Sequence, residues 1–525
     1  MHEAPIFKFN EAKPAIVEEV VQRVVEGTRD PLLALNDAAY HEIRRLGPKS
    51  DASADWRDLA GSLGKLDAGE LRRELKRLAD RYAWDVAGNF DPRVYKFAAR
   101  AMAPILGALL SPRAALKHLP EMHSLSALDD RIVVQGPTEQ IAHLATLGTL
   151  VFVPTHLSNL DSVVFGFALE RAGLPPATYG AGKNLFSNPV LSFFMHNLGA
   201  YRVDRRLKHV LYKDVLKAYS GVLLERGYHS LFFPGGTRSR SGGVERKLKL
   251  GIAGTGVDAF TRTSQRGKPQ PVFFVPATIN YLLTLEAETL VDDFLQEEGK
   301  NRYIIEDDES TRFARVASFA QKLMGLDASV VVRFSTPLDC FGNVVDEEGR
   351  SHDARGRPVD AITYLYGEGG EITRDPARDA QYTRELGEAI VKSFKRDTVV
   401  MPTHVVAAAA FEELRKKVKK DDLFSLVNYR ERVSVPREEF THAVQARLDQ
   451  LAEEEKAGRI VLSAQLRFAR AREAIDVALR AFAGYHANPV LVAHGGDIVL
   501  EDPRLLFYYQ NRLAAHGLAH DVLKS

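Results

Sequence analysis

The sequence predicts an α/β layered domain set between helical regions. Three observations carry that expectation. From residue 131 onward, short apolar runs alternate with amphipathic segments of helical length. Gly-Pro and Gly-Gly pairs punctuate the joins. On either side, before about residue 90 and after about 378, apolar residues recur at helical spacing instead.

In chain order, Ile16, Val20, Val21, Val24 and Val25 mark one helical face, and Leu59, Leu63, Leu66, Leu71, Leu75 and Leu78 another. These residues carry no recognisable chemistry and read as a helical bundle or lid. Residues 94–119 are amphipathic and flanked by Lys96, Arg100, Arg113 and Lys117. The pattern suits a helix on the core or one in a membrane interface, with Pro104 kinking or splitting it. Then follow a strand at Ile132–Val134, a helix over 138–147 and a strand over 149–153. A helix over 162–172 and a strand-loop from Tyr179 to Asn184 come next. Ala200–Val203 reads as a strand, 209–226 as an amphipathic helix, and Ser230–Phe233, Val272–Pro276 and Val330–Phe334 as strands. Pro276 is expected at a strand end, since proline donates nothing to a paired centre. Residues 341–375 lack periodicity and read as a surface excursion containing a hairpin. Helices return over 437–455 and 464–483. The domain boundaries expected are therefore 1–125 (N-terminal helical region), 126–400 (α/β catalytic domain) and 401–525 (C-terminal helical domain).

Composition narrows the classes. The chain has 525 residues, 45% hydrophobic and 26% charged, with a formal net charge of +1. That is an ordinary globular balance with no global field announcing nucleic acid. The single cysteine, Cys340, excludes an internal disulfide and suggests a reducing compartment. No C-x-x-C or H-E-x-x-H spacing appears, so no metal is expected. Met-His-Glu-Ala-Pro lacks a basic region followed by an apolar one, so no signal peptide is expected. No uninterrupted apolar run approaches the roughly 18 residues of a spanning helix, so membrane contact would be peripheral.

The chemistry gathers in ordered blocks. Leu150–Val153 reads as a buried strand, His156 emerges at its mouth, and Asp161 follows before a helix with Val163, Val164, Phe165 and Phe167 on its apolar side. A base and its orienter are readily built in such a turn, although a locally bonded histidine is the plain alternative. Gly199-Ala-Tyr-Arg202-Val-Asp-Arg205-Arg206-Leu-Lys208-His209 places five basic residues in eight positions. Phe232-Phe-Pro-Gly235-Gly236-Thr237-Arg238-Ser-Arg240 ends a strand in a glycine-rich turn with two arginines, a combination suited to phosphate. Each of these also reads as a solvated basic loop. Phe273-Phe-Val-Pro276-Ala-Thr-Ile-Asn-Tyr281 reads mostly as scaffold. Gly251-Ile-Ala-Gly254-Thr-Gly256 follows no clear strand and has the wrong order for a dinucleotide fingerprint.

Taken together, the His-x4-Asp turn, the Gly-Ala-Tyr-Arg-Val-Asp-Arg segment, the Phe-Pro-Gly-Gly-Thr-Arg-Ser-Arg segment and the Val-Pro strand resemble, in order and spacing, the four blocks of the glycerolipid acyltransferases. Gly180-Ala-Gly-Lys-Asn-Leu185 also resembles that pattern. Within the superfamily the chain looks most like the glycerol-3-phosphate acyltransferases. Thr398-Val-Val-Met-Pro-Thr-His-Val-Val-Ala-Ala-Ala resembles the start of the helix that follows their catalytic domain, and Glu501-Asp-Pro-Arg-Leu-Leu-Phe-Tyr-Tyr-Gln-Asn511-Arg-Leu their C-terminal tail. The resemblance implies a mixed sheet flanked by helices and transfer of a fatty acyl group from an acyl thioester to the sn-1 hydroxyl of glycerol 3-phosphate. The thioester would be acyl-CoA or acyl carried on acyl carrier protein. No cofactor is implied. His156 is expected as the general base and Asp161 as its orienter. Arg238 and Arg205, with Lys208 and Arg240 behind them, would bind the acceptor phosphate beside Gly236 and Thr237. Phe165, Phe167, Phe186, Phe193, Phe194 and Met195 flank the motif as candidates for an acyl groove, with core packing the alternative. No Gly-x-Ser-x-Gly nucleophile elbow occurs, which favours direct transfer over an acyl-enzyme. A cytoplasmic protein, peripheral on the inner face of the membrane, is the expected setting. The sequence departs from the usual family pattern at Gly235, where members usually carry Glu, although the soluble plant-type members are similar in lacking it. Acylation of lysophosphatidate or dihydroxyacetone phosphate, and a catalytically impaired lipid-binding relative, are the competing readings.

Overall fold

The computed structural model describes residues 4–98, 132–183, 186, 189–298, 329–418, 422–483, 486 and 488–521. Most of the amphipathic segment 94–119 lies outside these residues.

A seven-stranded mixed sheet organises the middle of the chain. Its strands are β1 (Ile132–Gln135), β2 (Thr149–Pro154), β3 (Thr178–Gly182), β4 (Ala200–Val203), β5 (Ser230–Leu231), β6 (Val272–Tyr281) and β7 (Val330–Phe334), in the order β1-β7-β6-β2-β5-β3-β4. From β6 to β4 all pairings are parallel; β7 runs antiparallel to β6 and parallel to β1. The carboxyl ends of β2, β3, β4, β5 and β6 therefore share one edge, where a crevice for ligands forms in open α/β sheets.

Alternation along each strand sends side chains to opposite faces. On β2, Leu150 and Phe152 join a core with Ile141, Val164 and Phe165 from helices Thr138–Leu147 and Asp161–Arg171. Val151 and Val153 join the opposite core with Val257, Phe260, Leu386 and Phe394 from helices Gly254–Gln265 and Pro376–Asp397. Burial on both faces explains why these strands read as continuous apolar runs.

Two strands depart from the expected bounds. β5 stops at Leu231, because Pro234 lacks a donor and a turn closes from Gly236 N to Phe233 O at 3.1 Å. β6 runs on through Pro276 to Tyr281. Phe274 exchanges both backbone bonds with Leu338, so Pro276, two residues on, turns its donor-free nitrogen to the same side. There Ser335 N still donates to Pro276 O at 2.8 Å, and the three residues Ser335–Pro337 face two of β6 between the Phe274–Leu338 bridge and the Ala277–Phe334 pair. The proline sits where the ladder is already interrupted.

The N-terminal helices Phe9–Gly27, Pro31–Leu46 and Ala68–Val86 share a core with helix Val210–Glu225. The leucine periodicity from Leu59 to Leu78 is split by a capping box of Asp67 and Glu70 at the start of Ala68–Val86. Residues 344–359 form three short strands, followed by a 3-10 turn at Ala361–Leu365; Phe341, Val345 and Leu365 of this stretch are buried. A C-terminal core surrounds helices Pro402–Lys417 and Pro503–Ala514, and takes in Leu283, Leu285, Leu290 and Val291 just after β6. Asp502 caps the last helix by accepting from Arg504 N and Leu505 N. Among the described residues, no helix is long and apolar enough to cross a membrane.

Candidate active site

Backbone chemistry at the end of β2 builds the centre of the site. Thr155 N donates to Ala277 O at 3.0 Å, and Ile279 N donates to Thr155 Oγ1 at the same distance. The turn after β2 is thus pinned to β6. It closes on Asp161, the first residue of helix Asp161–Arg171, whose side chain is wholly buried. Asp161 Oδ2 lies 2.7 Å from His156 Nδ1 and accepts from Leu157 N at 2.5 Å and Ser158 N at 2.9 Å. Oδ1 accepts from the Tyr281 hydroxyl at 2.6 Å. Four polar partners fix this buried carboxyl in one orientation. The Tyr281 hydroxyl stays protonated, because burial and the Asp161 charge push its pKa well up. With Nδ1 engaged by the carboxylate, Nε2 of the neutral ring is the free acceptor of a proton. The imidazole stacks on Phe233 at 4.3 Å between centroids and keeps 21% of its side chain exposed.

A second carboxylate braces the backbone: Glu245 Oε1 accepts from His156 N at 2.8 Å. A third, Glu286, follows β6. It accepts from Ser158 Oγ and Asn159 N, both at 2.9 Å, and lies 3.9 Å from Arg238 Nη1. Burial raises the pKa of both Glu245 and Glu286, against the pull of Arg512 on the first and of the Asn159 N–H and Arg238 on the second.

The glycine-rich loop is tied directly to the histidine turn, with Ser239 N donating to His156 O at 2.7 Å. Gly236 occupies a left-handed conformation (φ 73°) under Lys249, where a Cβ would come 2.5 Å from Cδ. Arg238 keeps only 9% of its side chain exposed, and its Nη1 has no hydrogen-bond partner among the described residues. A buried guanidinium nitrogen without a partner calls for an anionic ligand.

The structure thus brings His156, Asp161, Gly236 and Arg238 together. Thr237 is exposed on the same loop. Arg240 is ion-paired with Glu297. Arg205 and Lys208 are exposed on the turn after β4, the edge strand. Three strand spacings separate that edge from β2, about 14 Å at roughly 4.8 Å each. Of the groove candidates, Phe165 and Phe167 are buried in the core, whereas Phe193 is 54% exposed.

Sequence reasoning missed Tyr281, Glu245, Glu286 and Arg512. Tyr281 ends a strand taken as scaffold, Glu245 and Glu286 lie in segments with no motif of their own, and Arg512 lies in the tail segment, which was noted for its resemblance alone. Arg512 reaches the site from helix Pro503–Ala514, wholly buried, with weak contacts to Gly243 O and Ile279 O. That helix sits against the glycine loop: Gly242 has φ 74°, and a Cβ there would lie 2.2 Å from Tyr508 O.

Residues 132–280 match the family model described as Acyltransferase. That span holds the His-Asp turn, the glycine-rich loop and nearly all of β6, so the chain carries an acyltransferase-family domain. Its relatives include glycerol-3-phosphate acyltransferases. One from Pseudomonas entomophila is 25% identical over 278 residues, 53% of this chain and 30% of that protein. One from Xylella fastidiosa is 28% identical over 310 residues, 58% and 32% respectively. One from Pseudomonas aeruginosa reaches 32% over 156 residues, 30% and 18%. The chain therefore spans about a third or less of the length of these relatives. The crystal structure of a 1-acyl-sn-glycerophosphate acyltransferase from Thermotoga maritima aligns at a TM-score of 0.26 and 15% identity, over 69% of this chain and 95% of that one. That superposition is too loose to carry an argument.

Proposed function

We propose that this chain transfers a fatty acyl group from an acyl thioester to the sn-1 hydroxyl of glycerol 3-phosphate. The observation that carries the reading is the buried Asp161 carboxylate, 2.7 Å from His156 Nδ1, on a turn stitched to the loop of Arg238, whose buried Nη1 has Glu286 at 3.9 Å but no hydrogen-bond partner among the described residues. A base and an anion-binding group on one stitched loop suit an acceptor that carries both a hydroxyl and a phosphate.

In this reading His156 Nε2 takes the proton of the acceptor hydroxyl as its oxygen attacks the thioester carbonyl. Asp161 stabilises the imidazolium that forms. Collapse of the tetrahedral intermediate breaks the carbon–sulfur bond, and the imidazolium returns the proton to the departing thiolate. Atoms and charge balance with no covalent enzyme intermediate. Arg238 holds the phosphate, which explains preference for a phosphorylated glycerol. Arg205 and Lys208, on the same sheet edge, are placed to attract the anion rather than to clamp it. The names of the relatives support glycerol 3-phosphate as the acceptor. Acyl-CoA and acyl carrier protein are the two donors to compare. Peripheral contact with a membrane surface, on its cytoplasmic side, belongs to the same proposal, because the product carries an acyl chain.

The test is an acyl-transfer assay with glycerol 3-phosphate, lysophosphatidate and dihydroxyacetone phosphate side by side, each with both donors, on wild type and His156→Ala. Turnover with glycerol 3-phosphate that vanishes in the folded variant is expected. Preference for another acceptor, or turnover that survives the substitution, overturns the reading.

A further inference from the structure

The glycine at 235 has no backbone reason to be there. Its φ lies outside the left-handed region that Gly236 and Gly242 occupy, so an L side chain meets no conformational penalty. The space beside it is what is taken. A Cβ at 235 would lie 3.5 Å from Glu245 Cγ and 3.9 Å from its Oε1, with Thr237 O at 3.3 Å on the other side. Glu245 thus packs against the point from which a side chain at 235 would start. Glu245 is in turn fastened to the centre of the site, accepting from His156 N at 2.8 Å. Its second oxygen, Oε2, is buried without a hydrogen-bond partner among the described residues. The buried Arg512 guanidinium, from the last helix, is the strongest charge acting on it.

We propose that Glu245 is the positioning residue that takes the place of a side chain at 235. Its carboxylate reaches the same space from ten residues downstream in the chain and braces the backbone of His156, so that the imidazole stands where the acceptor hydroxyl arrives. The proposal rests on the acyl-transfer reading above. It makes Gly235 and Glu245 a spatially exchangeable pair. One carboxylate in this space supports the site; two crowd it and repel, and none leaves the His156 N–H without its acceptor.

The experiment is a mutant cycle of Glu245→Ala, Gly235→Glu and the double variant, with Glu245→Gln alongside, assayed for acyl transfer to glycerol 3-phosphate. Glu245→Ala is expected to lower kcat on the order of 100-fold, the scale of a misplaced catalytic group, with KM for both substrates little changed. Gly235→Glu alone is also expected to lower kcat. The double variant is expected to recover to within about tenfold of wild type, because one carboxylate again fills the space. Glu245→Gln is expected to retain most activity, since its amide oxygen still accepts from His156 N; it carries the test if Glu245→Ala fails to fold. A double variant no better than the worse single variant overturns the proposal. So does a loss that appears only in the acceptor KM.

Selective 15N-histidine labelling gives a readout that needs no substrate. The His156 backbone amide resonance is expected to move upfield in Glu245→Ala and to return downfield in the double variant. No turnover in wild type would overturn the function proposed above, and the amide shift would then decide the role of Glu245 by itself.

Discussion

Replacing Asp161 by Asn removes a charge and keeps a shape. The Oδ2 position faces three groups: His156 Nδ1, Leu157 N and Ser158 N. Two of these are backbone donors, so the amide NH2 is excluded there and the amide oxygen must take the place. The NH2 then faces Tyr281, whose hydroxyl can turn round and accept. His156 Nδ1–H therefore keeps an acceptor, and its tautomer is preserved. What is lost is the anion opposite the imidazolium. Charges about 4 Å apart at an effective dielectric constant of 20 interact by about 4 kcal/mol. If between half and all of the charge has developed in the transition state, the barrier rises by about 2–4 kcal/mol, roughly a 30- to 900-fold fall in kcat. That is well short of the four orders lost when an amide turns a catalytic histidine to the wrong tautomer. The assay is acyl transfer to glycerol 3-phosphate under saturating donor, with folding checked by denaturant unfolding. A fall of 10 000-fold or more in a folded variant would mean the amide is flipped and the backbone donors do not control it. Wild-type kcat would mean the His156–Asp161 pair has no part in the chemistry.

Arg238→Ala is expected to raise the acceptor KM far more than the donor KM, with a loss of about 2–5 kcal/mol in kcat/KM for a desolvated phosphate contact; equal effects on both substrates would move the phosphate site elsewhere. Gly242→Ala forces a Cβ to within 2.2 Å of Tyr508 O at a φ of 74°. It is expected to lift helix Pro503–Ala514 from the glycine loop and to cost about 3 kcal/mol or more, read by denaturant unfolding. His209 and His229 are held neutral by burial, each pKa pushed down to about 4. A depressed histidine pKa means the unfolded chain binds more protons, so the stability each contributes is whole above about 6.5 and falls away as pH drops toward 4. Unfolding curves at pH 7 and 5 are expected to lie closer together in a His229→Gln variant, which removes one of these contributions; an unchanged pH dependence would refute that assignment.

The His-x4-Asp turn was legible because its function is local. The spacing puts the carboxylate at the start of the helix that the same turn leads into, and the apolar strand before it fixes the edge of the sheet. The glycine-rich loop was legible for the same reason: left-handed backbone and guanidinium groups are written in adjacent residues. Tyr281 was not, since a tyrosine ending a buried strand has no local mark. Only the parallel pairing of β2 with β6 brings its hydroxyl to Asp161. Pro276 misled for a related reason. A proline ends a strand unless its nitrogen faces a gap in the ladder, and the gap is made by residues some 60 positions later.

By itself the sequence determined the alternation of strands and helices, the meeting of His156 and Asp161 in one turn, and the glycine and arginine content of the loop after β5, because periodicity, turn chemistry and residue type act over a few neighbours. The tertiary structure decided which basic residues stand at the base, since strand order places Arg238 beside His156 and Arg205 at the sheet edge. It also decided that Arg512, from the far end of the chain, stands by the site, and that the carboxylate missing at Gly235 is met in space by Glu245. Contacts of that kind depend on how far segments are brought together by packing, a quantity no local pattern records.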